Sequence, residues 1–323
     1  MPDPTPASNC PLCRSSQALL VHDKDRHGRP LRSLFCLNCG LFRVDPLPDD
    51  ATLRQFYEER YRAEYKGVLR PKPHHVIRAA AAARDRLSWL TPHATRNGQN
   101  WLDVGAGSGE FAYLMQRKGF SVTALEPNRG YAEYMQSSLK LSVQVGFLED
   151  LNHRAGEFDG ISAFHMLEHH PDPVAALRRM ATLLRPAGLL AIEVPNAAFH
   201  LVHPSHRFHP AHLVHFHLDN LHLAAAMAGF QPLELRTSSD GGILWGIFRR
   251  ATEAESIALP VITQEQVQKW RTAELRRTPW RYYANPQIWL RTGRRLLTLA
   301  TERMQVQTHS VPLTYLTQLP LPD

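Results

Sequence analysis

The sequence predicts an α/β chain built on a doubly wound parallel sheet, with a small cysteine-rich module before it and a helical extension after it. Three observations predict this. All four cysteines fall within the first 39 residues, as two CxxC pairs. From Trp101 to Pro195, short apolar runs alternate with amphipathic helical patterns. After Arg250 the alternation gives way to helical patterns that carry Trp, Tyr and Arg. At 323 residues and 43% hydrophobic, the chain is long enough for two or three such parts and can bury a substantial core.

The N-terminal module comes first. Cys10 and Cys13 form one CxxC, Cys36 and Cys39 the other, with Gly40 directly after. A CxxC turn presents two sulfurs to one ion, and two such turns make a tetrahedral thiolate site for structural zinc. Between them, Ala18–His22 and Leu31–Phe35 flank the turn residues Asp25, Gly28 and Pro30, which predicts a hairpin joining the two knuckles, a zinc-ribbon-like arrangement. So short a segment has little core of its own, so the metal would supply its stability. Two helical patterns follow, over 50–66 and 74–90, separated by Pro71 and Pro73.

The central region opens on Trp101-Leu102-Asp103-Val104, an apolar strand running into Gly105-Ala106-Gly107-Ser108-Gly109 and then a helix from Phe111 to Lys118. Glycines at this junction let a backbone approach a ligand at a helix N-terminus. A second strand, Ser121–Leu125, ends at Glu126, about 20 residues past the loop, where a carboxylate can accept both hydroxyls of a ribose. A nicotinamide dinucleotide would prefer GxGxxG; here the run is GAGSGE. Ligands of such Rossmann-like sheets sit outside the carboxyl ends of the strands, and Asp103, Gly105, Gly107, Gly109, Glu126, His165 and Asn196 all fall there.

On these motifs the region 101–250 resembles the class I S-adenosylmethionine-dependent methyltransferases. Asp103–Gly109 resembles the family's first motif, which contacts the methionine part of the cofactor. Leu125-Glu126-Pro127 resembles the second, and Gly146–Leu151 the loop beside the adenine. Phe158–Ile161 opens the fourth strand, with Phe164 and His165 at its end. Leu183–Leu190 resembles the turn into the fifth strand, and Ala228-Gly229-Phe230 closes the last helix before the sixth and seventh. Phe147 stands where relatives often carry an acid, so Glu149, Asp150 or backbone groups would meet the adenine. Ala187 stands where a second glycine is common, which reads as a conservative change. The resemblance implies a seven-stranded methyltransferase sheet with S-adenosylmethionine as cofactor. With Cys39–Pro46 and Leu53–Tyr61 it extends to a bacterial subgroup in which a zinc module precedes the catalytic domain and small molecules are methylated.

Methyl transfer from a sulfonium is an in-line displacement, and an oxygen or carbon acceptor must also lose a proton. Histidine suits that task. Eight of the 18 histidines lie in 200–222, after the fifth strand. His212-Leu213-Val214-His215-Phe216 matches a His-x-x-His-Phe stretch of the subgroup, so His212 and His215 are candidate bases. The recurrence of His every third residue from 200 to 215 reads as accident, because Pro204 and Pro210 break any helix that would align them. His165-Met166-Leu167-Glu168-His169 adds His165 and His169 as candidates. This stretch is not helical enough for a metalloprotease HxxEH. It sits where quinone-pathway O-methyltransferases carry Glu-x-x-Glu-His, a resemblance that implies a divalent cation. Asp172 and Pro173 open the next helix.

The C-terminal extension reads as helices over Gln264–Arg276 and Pro286–Val306, with Trp270, Trp280, Tyr282, Tyr283 and Trp289 among basic residues. It offers a lid or a dimer contact, with an RNA or membrane surface as the alternative. Charge weighs on that choice. The formal net charge is +7, but residues 101–250 hold 12 Lys and Arg against 14 acids, and the excess lies in 1–100 and 251–323. A polyanion would therefore meet the flanks and not the sheet. A small-molecule acceptor is favoured over nucleic acid. RNA methylation, or a non-enzymatic cofactor-fold module, is the alternative. No run of 18 apolar residues occurs, and no apolar h-region follows the N-terminus, so neither a transmembrane helix nor a secretory signal is expected and a cytoplasmic location is predicted. The expected division is 1–48, 49–97, 98–250 and 251–323.

Overall fold

A computed structural model describes residues 8–55, 71–94, 98–152, 154–308 and 312–322. The rest of the helical pattern expected over 50–66, beyond the helix Asp50–Gln55, lies outside the described residues, as does most of the Leu53–Tyr61 motif.

Among the described residues, eleven strands form two sheets. The first is small and antiparallel, in the order β1-β2-β3-β9, from Ala18–Lys24 (β1), Pro30–Cys36 (β2), Phe42–Val44 (β3) and Val214–His215 (β9). The second contains Asn100–Val104 (β4), Ser121–Glu126 (β5), Ser142–Val145 (β6), Phe158–Phe164 (β7), Leu184–Pro195 (β8), Phe230–Thr237 (β10) and Ile243–Arg250 (β11). Its order is β10-β11-β8-β7-β4-β5-β6, the seven-stranded Rossmann-like sheet expected from the motifs. β4 pairs in parallel with both β5 and β7, and β10 is antiparallel to β11. Strand order reverses direction at β4, which is where such sheets bind ligands. The expected helices are present, among them Pro73–Leu90, Glu110–Arg117, Pro173–Leu183, Gln264–Leu275 and Pro286–Thr308.

The chain folds into compact units that are discontinuous in sequence. It forms two compact units, one of Met1–Asp49, His165–Ala181 and Ile192–Trp289, the other of Asp50–Phe164, Thr182–Ala191 and Leu290–Asp323. In the first unit, the loop after β8 supplies β9 to the cysteine module, with Phe42 opposite His215 and Arg43 opposite Val214. The helix Gln264–Leu275 completes that module's core: Val267 is buried with Phe35, Phe42, Ala197 and Phe208, and Trp270 packs on them. Glu274 pairs with Arg207 at 3.2 Å and Arg277 at 2.8 Å, and Arg277 also donates to the carbonyls of Ala198 and Phe199. In the second unit, Arg117 donates to the carbonyls of Leu316 and Leu319, so the chain's last turns pack on the helix Glu110–Arg117. The extension is therefore shared between both cores.

Two positions carry backbone demands. The step into β8 begins at Leu184, and Ala187 sits there with φ +61°, a left-handed conformation that costs a non-glycine residue about 1 kcal/mol. The change from glycine is thus not neutral, as the sequence suggested. Gly40 has φ +72°, and a Cβ there would lie 2.4 Å from the Trp270 ring. We expect Gly40→Ala to destabilise the chain by about 2–4 kcal/mol in urea unfolding, through backbone strain and overpacking together. Adding Trp270→Leu should recover only the packing share.

Candidate functional site

The second unit holds the glycine-rich loop. Gly105, Gly107 and Gly109 all have positive φ, and a Cβ on Gly109 would strike Met135 at 2.6 Å. The loop is tied to the end of β5: the amides of Gly105 and Ala106 donate to the Leu125 carbonyl. Glu126 is buried, and its two oxygens accept from the amides of Gly107 at 2.9 Å and Asn128 at 3.1 Å. Asn128 in turn caps the next helix by accepting from the Tyr131 amide. Asp103 is buried beside them and accepts 2.7 Å from the Ser162 hydroxyl. Burial pushes its pKa up to about 6, against the opposing effect of that hydrogen bond.

Beyond β5 and β6 lies a pocket of about 340 Å³, walled by Pro127, Asn128 and Arg129 on one side and Gly146, Phe147 and Asp150 on the other. Asp150 was expected at the adenine. It lines this pocket, and both its oxygens are held by the Arg54 guanidinium, at 2.7 and 2.8 Å, which keeps the carboxyl below its usual range. The same guanidinium lies 4.9 Å over the Phe147 ring. Arg54 was not among the expected site residues; 96 residues separate it from Asp150, and no local pattern links them. Phe164, also expected at the cofactor, is a core residue: it is buried edge-on against Phe111 and under Arg86.

The first unit gathers the histidines. His165 has φ +53°, with Nδ1 3.2 Å from Glu168 and Nε2 2.9 Å from Glu193. Desolvation opposes its charge, but the two carboxylates outweigh it and push the pKa up to about 9. Both ring nitrogens face carboxylates, which favours the cationic ring and disfavours the expected role of base. His169 is fixed by its Nδ1, 2.5 Å from the Ala211 carbonyl. Ligand atoms of Glu168, His169 and His212 lie within 4.8 Å of one another. Glu168 is buried, and its Oε2 has no hydrogen-bond partner among the described residues. The period of three proves meaningful. The turn at Pro210 and the start of β9 bring the His209 ring to 3.9 Å from His212, tilted by 50°, and His215 to 5.8 Å from His212, with no helix involved. Burial first, then neighbouring imidazoles or Arg207, holds His212 and His215 well below the usual histidine range. His215 is buried in the β3–β9 pairing against Phe208, which makes it a structural residue.

The four cysteines are all free thiols, and their sulfurs lie within 4.8 Å of one another. Cys10 and Cys39 are 3.6 Å apart and Cys13 and Cys36 3.5 Å, close to the edge of about 3.8 Å that tetrahedral Zn–S bonds would set. The donor set and spacing fit zinc. Arg14 at φ +63° and Gly40 at φ +72° hold equivalent places after each knuckle. Asn220 donates 2.6 Å to the Cys39 carbonyl, and His217 stacks on Trp270 at 4.1 Å.

A family model described as a methyltransferase domain matches residues 73–235. A ubiquinone biosynthesis O-methyltransferase of Xanthomonas campestris pv. campestris (strain B100) is 29% identical over 197 residues, 57% of this chain and 80% of that protein. Its counterpart in Xanthomonas axonopodis pv. citri is 34% identical over 139 residues, 40% of this chain and 56% of that protein. Among solved structures, Burkholderia thailandensis 1,6-didemethyltoxoflavin-N1-methyltransferase, with bound 1,6-didemethyltoxoflavin and S-adenosylhomocysteine, superposes with a TM-score of 0.50 at 22% identity, over 68% of this chain and 96% of that one. It shares the fold.

Metal analysis of the purified protein is expected to give about one zinc ion per chain, and Cys39→Ser to abolish it. Stripping the metal should also shift Trp270 emission to the red, because that ring rests on the second knuckle. Stoichiometric zinc in Cys39→Ser would refute the assignment.

Proposed function

The chain belongs to the methyltransferase-domain family and is an S-adenosylmethionine-dependent methyltransferase; from that premise we propose that its acceptor is an oxygen of a small molecule. Support for the oxygen comes from the O-methyltransferase relatives, and for a small acceptor from a central region that carries no basic excess. The observation that carries the cofactor reading is the carboxylate of Glu126, fixed by the Gly107 and Asn128 amides beside the 340 Å³ pocket.

When bound, the cofactor supplies a methyl group already activated on a sulfonium. This chain's residues supply binding and alignment. Glu126 accepts the ribose hydroxyls. Phe147, backed by Arg54, offers its ring to the adenine, and Asp150 acts through Arg54 and not directly. Gly105, Gly107 and Gly109 leave room for the methionine part. Asp103 presents a buried carboxylate to its ammonium group, which would compensate the burial that now raises the Asp103 pKa.

The acceptor hydroxyl must lose a proton. Among the histidines, His169 is best built to take it: the Ala211 carbonyl orients its ring through Nδ1, and His212 and Glu168 stand in the same cluster. A second reading gives the same cluster a divalent cation. The partnerless Glu168 Oε2 favours it, and a backbone carbonyl on the far nitrogen is the usual support of a metal-binding imidazole. His165 stands where the relatives' first Glu would be and is bound to Glu168 and Glu193, so His212 would complete such a site.

Two outcomes test these readings. Cofactor affinity, measured by calorimetry, should fall as pH drops through about 6, because Asp103 then gains a proton. Asp103→Asn should weaken binding about 10- to 100-fold and flatten that pH dependence. For the cluster, chelator-treated protein should regain methyl transfer with Mg²⁺ or Mn²⁺ if a cation is held there. If His169 is simply a base, added cations should leave the rate unchanged and His169→Ala should remove it.

A further inference from the structure

Between Glu274 and Glu302 the chain contains no acidic residue and six arginines: Arg276, Arg277, Arg281, Arg291, Arg294 and Arg295. Arg277 is turned inward to Glu274 and the carbonyls after β8. Arg276, Arg281, Arg291 and Arg295 are exposed. The same stretch exposes large apolar side chains: Trp280 (74%), Trp289 (61%), Leu290 (65%) and Leu297 (69%), with Leu275 and Tyr283 over half exposed. These are six of the eleven large hydrophobics exposed among the described residues, so the feature is concentrated in 23 residues and is not the ordinary scatter of a surface. In the helix Pro286–Thr308, Leu290 and Leu297 stand seven residues apart and share one face.

We propose that the segment Leu275–Leu297 docks on an anionic phospholipid surface. Arginine next to indole and leucine is the composition of a helix lying in a membrane interface, where guanidinium groups meet phosphates and rings enter the acyl boundary. Three occupants compete. A second copy of this chain would bring arginine against arginine across a symmetric contact, with no acid in the segment to balance them. Nucleic acid would use the arginines and rings but gains little from exposed Leu275, Leu290 and Leu297, which cannot stack on bases. A lipid surface uses all three kinds of side chain. No described helix is long and apolar enough to cross a membrane, so the contact is peripheral.

The test is sedimentation of the full chain with vesicles of phosphatidylcholine alone or with about one-third phosphatidylglycerol. The expected result is binding to the anionic vesicles only, released by high salt, with a blue shift in tryptophan emission. Arg281→Gln/Arg291→Gln/Arg295→Gln should lower the partition about a hundredfold. Trp280→Phe/Trp289→Phe should still sediment but lose the blue shift. Both variants should bind S-adenosylmethionine as the parent does, which shows that they fold. A chain that stays in the supernatant with anionic vesicles overturns the proposal. So does a dimer that dissociates on Leu290→Ser/Leu297→Ser without vesicle binding, or RNA binding that outcompetes the vesicles.

Discussion

The first unit depends on one short pairing. Val214 and His215 add a fourth strand to the cysteine module by facing Arg43 and Phe42. Two residues of ladder are weak alone, yet they are anchored at both ends. The Leu213 amide donates to the Glu168 carbonyl, and the Val44 amide to the Leu213 carbonyl. A few residues on, Asn220 reaches the Cys39 carbonyl. The cysteine module thereby fixes the path of the chain that carries His209, His212 and His215. Its four sulfurs lie far from Glu168 in sequence, but loss of their order would release the strand on which the histidine cluster is strung. Within this unit the module is a support for the side chains that do chemistry.

In the second unit the equivalent constraint is the Glu126 carboxylate. It bridges the glycine-rich loop and the turn after β5, so two segments 19 residues apart are locked before any ligand arrives. Preorganisation of this kind lowers the ordering cost of binding. The three positive-φ glycines make the lock reachable, because only a backbone without Cβ can turn so tightly beside Met135. The reversal of strand order at β4 then leaves space outside these strand ends.

What was legible in the sequence follows from the range of the forces involved. The glycine loop, Glu126, the two knuckles and the strand–helix alternation were readable because each is a local backbone demand written in adjacent residues. The strand order was legible only through the resemblance. Arg54 was invisible because its partner lies 96 residues away and an isolated arginine carries no pattern. β9 was invisible because two residues are too few for any periodicity, and so was the discontinuity of the first unit. The histidine period is not helical, yet a turn and a strand bring His209, His212 and His215 together as well. Phe164 and His165 pose one difficulty together: position at a strand end is shared by residues that face a ligand and residues that face the core, and only packing separates them.

Electrostatics in the histidine unit favour the cation at His165 and the neutral ring at His209, His212, His215 and His217. His165 can hold a proton because Glu168 and Glu193 flank it. Four other rings cannot. Burial depresses His209 and His217 to about 3, and His212 and His215 are likewise held well below their usual range. The His165 cation itself is one of the charges that disfavours protonation of His212. Neutral imidazoles keep a lone pair, so His212 enters the cluster with His169 and Glu168 as an acceptor of a cation or a proton. Moving the positive charge out of His165 would weaken that division. It would leave two buried carboxylates to seek a proton, and Glu168, the residue common to the clamp and the cluster, is where both roles meet.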